Sequence, residues 1–222
     1  MDGAPVTTRV YDVDGIRLAA PADAERLLDA FQRPPGERRL PYWARLWPSS
    51  LVLARLVAGE LVARVRGRAV VELGCGLGAV GLTAARAGAD VTLTDREPEA
   101  LELAADNARA NGLAVQIVAL EWSRVPDALV GRFDVVLGAD LAYERDALAP
   151  LTGAIHALLV PGGEAWLADP GRLGPTSFVE AARAAGLDTT RDRVCPHPDG
   201  FPVSSESEAP DVNVYRLVRP SS

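Results

Sequence analysis

From residue 69 onward, short apolar runs alternate with stretches whose apolar positions recur every three to four residues. The runs at 69–73, 91–94, 115–119, 133–138 and 164–168 read as strands, and helical spacing falls near 79–88, 97–111, 146–158 and 175–185. Such alternation predicts an α/β fold, a parallel sheet with right-handed crossovers. Gly112 after Asn111 reads as a helix C-cap, and Pro161-Gly162-Gly163 as a turn into the fifth strand. Further on the pattern changes. Residues 187–194 and 212–218 alternate as two antiparallel strands do, joined by a long polar loop that begins at Pro196.

Ahead of the alternating core, Asp14-Gly15 lies between 8–13 and 16–18 and supplies the positive φ values of a tight hairpin. Leu27, Leu28 and Phe31 mark a helix over 21–31, which Pro34-Pro35-Gly36 ends. Pro48 and the serines after it open another helix that runs to Val62. These boundaries divide the chain into a hairpin-and-helix extension, residues 1–40, and one larger domain, residues 41–222.

At 222 residues and 48% hydrophobic content, the chain suits one α/β domain with a substantial core. All 23 basic residues are arginine, which reads as a genomic base-composition bias rather than as function. A formal charge of −7 opposes nucleic-acid binding and permits a cationic partner. Two cysteines, Cys75 and Cys195, support neither a disulfide framework nor a zinc site, and no metal is expected. No run of about 18 apolar residues occurs, and the first residues lack a signal-peptide pattern. The expectation is a cytoplasmic protein with no membrane partner.

Chemistry concentrates where strands end. Val70-Val71-Glu72-Leu73-Gly74-Cys75-Gly76-Leu77-Gly78 is a strand running into a glycine-dense turn and then a helix. Alternate glycines allow positive φ and let a ligand lie against the main chain, and the helix aims its N-terminal amides at it. Gly74-x-Gly76-x-x-Ala79 also satisfies a relaxed dinucleotide fingerprint. Two acids weigh against that cofactor. Glu72 would repel a pyrophosphate but accept hydrogen bonds from an ammonium group, and Asp95, after the second strand, stands where ribose hydroxyls are held.

Glu121-Trp122 follows the third strand, Asp140-Leu141-Ala142-Tyr143 the fourth and Asp169-Pro170-Gly171-Arg172 the fifth. Ligands of such sheets bind beyond these carboxyl ends. Asp140 also fits as the N-cap of a helix opening at 142, a turn from which Asp140 and Tyr143 would overlook one ligand. Trp47 reads as a core anchor, as a wall over the cofactor or as the aromatic side of an acceptor pocket. His156 and His197 have no partner pattern and read as ordinary helix and loop residues.

The glycine turn, Asp95, Glu121-Trp122, Asp140-x-x-Tyr143 and the terminal strand pair together resemble class I methyltransferases over roughly residues 40–218. The resemblance implies a Rossmann-like, seven-stranded, mostly parallel sheet with helices on both faces and a C-terminal antiparallel pair. It implies S-adenosyl-L-methionine as cofactor, held by Trp47, Glu72, Gly74, Gly76, Gly78, Asp95, Glu121, Trp122 and Asp140. Asp140-Leu141-Ala142-Tyr143 after Gly138-Ala139 is similar to the D-x-x-Y signature of seven-β-strand protein lysine methyltransferases. Pro41-Tyr42-Trp43-Ala44 with Trp47-Pro48, and Asp169-Pro170-Gly171-Arg172, resemble the branch that methylates the electron transfer flavoprotein β subunit. A protein lysine acceptor follows, possible partner that flavoprotein subunit, with Asp140 and Tyr143 as catalytic residues. The Trp-Pro segment is also similar to nicotinamide-type N-methylases, so a small amine is the alternative acceptor. Readings of another class are a non-catalytic cofactor-binding module and a dinucleotide reductase. Glu72 and the absence of any lysine for a tyrosine-lysine pair oppose the reductase.

Overall fold

The computed structural model describes residues 8–22, 42–196, 198 and 211–221. A two-stranded hairpin, β1 (Thr8–Val13) and β2 (Ile16–Pro21), precedes a seven-stranded sheet. The sheet strands are β3 (Ala69–Leu73), β4 (Asp90–Asp95), β5 (Gln116–Ala119), β6 (Phe133–Ala139), β7 (Leu159–Asp169), β8 (Asp188–Cys195) and β9 (Val212–Val218). Their order is β5-β4-β3-β6-β7-β9-β8. The first five strands run parallel, and β9 lies antiparallel between β7 and β8. The helices are α1 (Pro48–Ala58), α2 (Val62–Val65), α3 (Ala79–Arg86), α4 (Pro98–Ala110), α5 (Leu148–Leu158) and α6 (Pro175–Ala184).

Proline stands at the start of α1, α4 and α6, where its missing N–H costs no hydrogen bond and its fixed φ suits the first turn. The helix expected to reach Val62 stops earlier: Gly59 donates back to the Arg55 carbonyl, and the chain turns before α2. Pro161-Gly162-Gly163 is not a turn before a strand but an interruption inside one. Leu159 pairs with Phe133 and Glu164 with Val135, so the residues between bulge from a single long β7. At the start of the helix expected over 21–31, Pro21 instead ends β2, and the rest of that segment beyond Ala22, with the loop after Pro198, falls outside the described residues.

Alternation along β3 sorts its side chains between the two faces of the sheet. Val70 joins the apolar cluster containing Leu53, Leu82 and Leu93, whereas Val71 and Leu73 join the cluster of Leu151, Ile155 and Tyr215. Val13, Ile16, Leu18 and Ala20 of the hairpin belong to the first cluster, so that face is thicker by one layer. Polar groups fix the hairpin there. Asn107 Oδ1 accepts from the Ala19 amide at 2.8 Å and Asn111 Oδ1 from the Arg17 amide at 2.9 Å. The Asn107 side-chain amide also donates to the Ala19 carbonyl at 3.2 Å and to Leu77 O, in the glycine turn, at 3.0 Å.

Candidate active site

Strand order reverses between β3 and β6, where Leu73 pairs with Gly138 and the two carboxyl ends lie side by side. A cavity of about 330 Å³ opens at this switch point, the place where open α/β sheets bind ligands. Its wall includes Trp47, Gly74, Gly76, Asp95, Glu121, Trp122, Asp140 and Tyr143. Eight of the residues expected at the site are therefore brought together. Among the described residues the lining holds six carboxylates, Asp95, Glu97, Glu121, Asp140, Glu144 and Asp146, against two arginines, Arg45 and Arg96. An acidic wall suits a ligand carrying a sulfonium and an ammonium and opposes one carrying phosphates.

Gly74 and Gly76 have φ of +55° and +49°, backbone that L side chains rarely adopt. The space a Cβ would take is filled by this protein's own atoms. At Gly74 it would stand 2.6 Å from Leu141 Cδ2, and at Gly76 3.2 Å from the Trp43 carbonyl oxygen. The glycines thus bring the turn against two other segments of the cavity wall as well as exposing main chain to a ligand. Asp95 anchors the next stretch: Oδ2 accepts from the Gly76 amide at 3.0 Å and Oδ1 from the Glu97 amide at 3.1 Å. Each carboxylate oxygen has a further lone pair, which leaves capacity for a diol. Burial raises the Asp95 pKa, and the hydrogen bonds from Glu97, Gly76 and Arg96 amides oppose the shift.

Glu72 and Gly78 do not line the cavity. Glu72 shares the Val70 face of β3, which directs its carboxylate under α3, where Oε2 accepts from the Gly81 amide at 2.8 Å. Gly81 is glycine inside a helix because a Cβ there would lie 2.7 Å from that oxygen. Burial pushes the Glu72 carboxyl up to about 8 against two backbone hydrogen bonds. Glu72 is therefore placed as a brace for the turn and not within reach of a ligand ammonium. Gly78 has φ +81° and precedes α3, with its amide bonded to the Cys75 carbonyl at 2.7 Å.

The chain does not turn helical after β6. Asp140 takes a left-handed φ of +59°, residues 141–144 are irregular, and a 3-10 turn at Arg145–Ala147 precedes α5. Asp140 is consequently no helix cap. Leu141 and Ala142 are buried at 7% and 5% exposure, while their neighbours Asp140 and Tyr143 reach the cavity. Two buried residues, of which Leu141 also touches the cavity, separate the two polar wall residues, which accounts for the D-x-x-Y spacing without a helix. Asp169 holds the segment from behind, with Oδ2 accepting from the Ala142 amide at 3.2 Å and Oδ1 from Gly171 at 2.6 Å. Burial lifts its carboxyl to about 6.

Aromatic rings complete this side. Tyr143 packs edge-on against Tyr42 at 5.6 Å between centroids, and Tyr42 against Trp47 at 6.0 Å. Trp47 Nε1 donates to the Tyr42 carbonyl at 2.9 Å. Arg172 closes the Asp169-Pro170-Gly171-Arg172 motif, and its guanidinium pairs with the Asp140 carboxylate and lies 5.5 Å from the Trp47 ring centroid. Burial raises the Tyr143 pKa above its ordinary value.

Residues 42–168 match the protein family described as lysine methyltransferase. The chain belongs to this family. EEF1A lysine methyltransferase 3 of Mus musculus is 35% identical over 80% of this chain and 73% of its own length. The electron transfer flavoprotein beta subunit lysine methyltransferase of Mus musculus is 32% identical over 60% of this chain. The match spans 51% of that relative's length. A TehB-like SAM-dependent methyltransferase from Corynebacterium glutamicum superposes with TM-score 0.55 at 25% identity, over 73% of this chain and 85% of that one. This methyltransferase uses S-adenosyl-L-methionine, and the acidic, phosphate-averse wall fits that cofactor. Among the described residues no helix is long and apolar enough to cross a membrane.

Proposed function

We propose that this methyltransferase acts on the side-chain nitrogen of a protein lysine, with Asp140 and Tyr143 at the acceptor end of the cavity. The observation that carries the reading is the pairing of a nearly buried carboxylate with an aromatic wall on the strand next to the glycine turn. Two relatives named for lysines of EEF1A and of the electron transfer flavoprotein beta subunit support a protein acceptor, and both proteins are candidate substrates. Gly74, Gly76 and Asp95 are assigned to the amino-acid and ribose parts of the cofactor, and Glu121-Trp122 to its adenine.

Bound S-adenosylmethionine supplies a methyl group on a sulfonium, open to direct displacement. Asp140 draws in the acceptor ammonium, and after a proton is shed, from an ordinary lysine pKa of about 10.4, its carboxylate orients the remaining N–H bonds. It also stabilises the positive charge that grows on nitrogen. Tyr143 and Trp47 offer ring faces to a methylated ammonium, worth about 0.5–2 kcal/mol each. Alignment of the reacting atoms supplies most of the acceleration, and little acid-base machinery is required.

Asp140→Asn keeps the shape and removes the charge. It is expected to bind S-adenosylmethionine as the wild type does and to lose at least about tenfold in rate, or roughly 1.4 kcal/mol. Labelled cofactor with purified EEF1A, the flavoprotein subunit and a lysate provides the assay. Full activity of the variant removes Asp140 from the role, and label confined to small metabolites favours the amine reading.

A further inference from the structure

Asp140 and Trp47 present a carboxylate beside an aromatic face, the combination that recognises an organic cation, and both are engaged by a cation of the protein itself. Arg172 reaches them from the segment between β7 and α6. Its Nη1 pairs with Asp140 Oδ1, its Nη2 stands 3.5 Å from Oδ2, and its guanidinium carbon lies 5.5 Å from the Trp47 ring centroid, which Arg45 of the cavity wall also approaches, at 5.2 Å, without pairing with Asp140. The Asp140 side chain is 6% exposed and that of Arg172 43%, so Arg172 is the solvent-facing member of the pair. It is absent from the cavity wall that Asp140 and Trp47 help to form. A carboxylate buried to that degree is costly without a partner, and Arg172 is the partner it has here.

We propose that Arg172 is an internal stand-in for the acceptor, which the incoming lysine ammonium displaces from Asp140 and Trp47. The inference rests on the assignment of Asp140 to the acceptor site. Displacement needs only a swing of a long, half-exposed side chain. Its backbone is held independently, by the Gly171 amide on Asp169 at 2.6 Å and by the Gly174 amide on the Gly171 carbonyl at 2.9 Å. The arrangement sets specificity. A neutral amine or an amide lacks the charge to compete with the guanidinium, whereas an ammonium exchanges one ion pair for another. Acceptor affinity is then reduced by the fraction of molecules in which Arg172 is docked.

A merely positioning role for Arg172 predicts the opposite sign, because loss of the arginine would leave Asp140 misoriented and weaken acceptor binding. The test uses full-length protein saturated with S-adenosylhomocysteine, which cannot turn over. Nα-acetyl-lysine methylamide is titrated in and followed by NMR. Arg172→Ala and Arg172→Gln are expected to bind the probe about fivefold or more tighter than wild type, with S-adenosylhomocysteine affinity within about twofold. In an Asp140→Asn background, Arg172→Ala should change probe affinity by less than about twofold. Equal, weaker or undetectable probe binding by both Arg172 variants, with melting transitions showing that they are folded, overturns the stand-in. If wild type binds the probe and Asp140→Asn abolishes that binding, the assignment of Asp140 survives such a failure. Tighter probe binding that persists unchanged in the Asp140→Asn background overturns both.

Discussion

On the β3–β4 side of the cavity, polar side chains are tied to backbone amides: Asp95 to Gly76 and Glu97, Glu72 to Gly81. On the β6–β7 side, Asp169 grips the Ala142 and Gly171 amides from behind, but at the cavity itself side chains hold one another: Arg172 to Asp140 and Trp47, Tyr143 to Tyr42, Tyr42 to Trp47. A carboxylate bonded to main chain has one geometry, because the amides it holds are fixed by strand and turn. Groups held by rotatable side chains can exchange partners without disturbing the fold. The first wall suits a ligand that is the same at every turnover. The second suits one that must arrive, lose a proton and leave as a larger cation.

The largest expected effect comes where the walls meet. Gly74→Ala would force a left-handed φ on alanine and drive its Cβ into Leu141, the residue between Asp140 and Tyr143. A loss of about 2–4 kcal/mol of stability is expected, measured by denaturant unfolding, together with loss of cofactor binding. Wild-type stability would mean that the two walls are not coupled through Leu141. Asp95→Ala comes next and tests the fixed wall alone. It should weaken S-adenosylmethionine binding by about 1.5–3 kcal/mol in a titration, and unchanged affinity would remove Asp95 from the site.

A smaller effect separates brace from ligand group at Glu72. Its carboxyl is held up to about 8 in the fold, against an ordinary 4.5 when unfolded. Between those values the native state keeps a proton that the unfolded chain has released, so stability falls as pH rises across that window. Glu72→Gln lacks the titrating group. It should melt like wild type near pH 4.5 and be the more stable of the two at pH 8.5. Parallel melting curves for the two proteins across that range would contradict the buried, protonated placement.

Periodicity carried the fold because burial imposes it. β3 and β9 have the bounds their apolar residues suggest, β6 is longer by one residue at its end and β4 by one at each end. Features that depend on tertiary contact were not legible. The glycine turn announces positive φ at 74, but the second demand on that glycine, the close approach of Leu141 from far along the chain, is announced by no local pattern. Glu72 is expected from its place before the glycine turn to meet a ligand ammonium, whereas its shared parity with Val70 in β3 turns it toward the Gly81 amide of α3. The helix expected after Asp140 failed because Leu141 and Ala142 are drawn into the core in an irregular path. Arg172 was in view as a motif residue, but its pairing with Asp140 joins the ends of two strands and appears only once β6 and β7 are placed side by side.

Asn107 has a consequence for how the molecule breathes. One amide group grips the hairpin at Ala19 and the glycine turn at Leu77, so neither can drift without loosening the other's hold. Coupling of this kind is reciprocal: if the hairpin steadies the turn that receives the cofactor, the cofactor must steady the hairpin by the same free energy. Hydrogen exchange at the Ala19 amide should therefore slow when S-adenosylhomocysteine is added, and Asn107→Ala should abolish that response. A segment with no residue in the cavity wall would then report, at a distance, whether the cavity is filled.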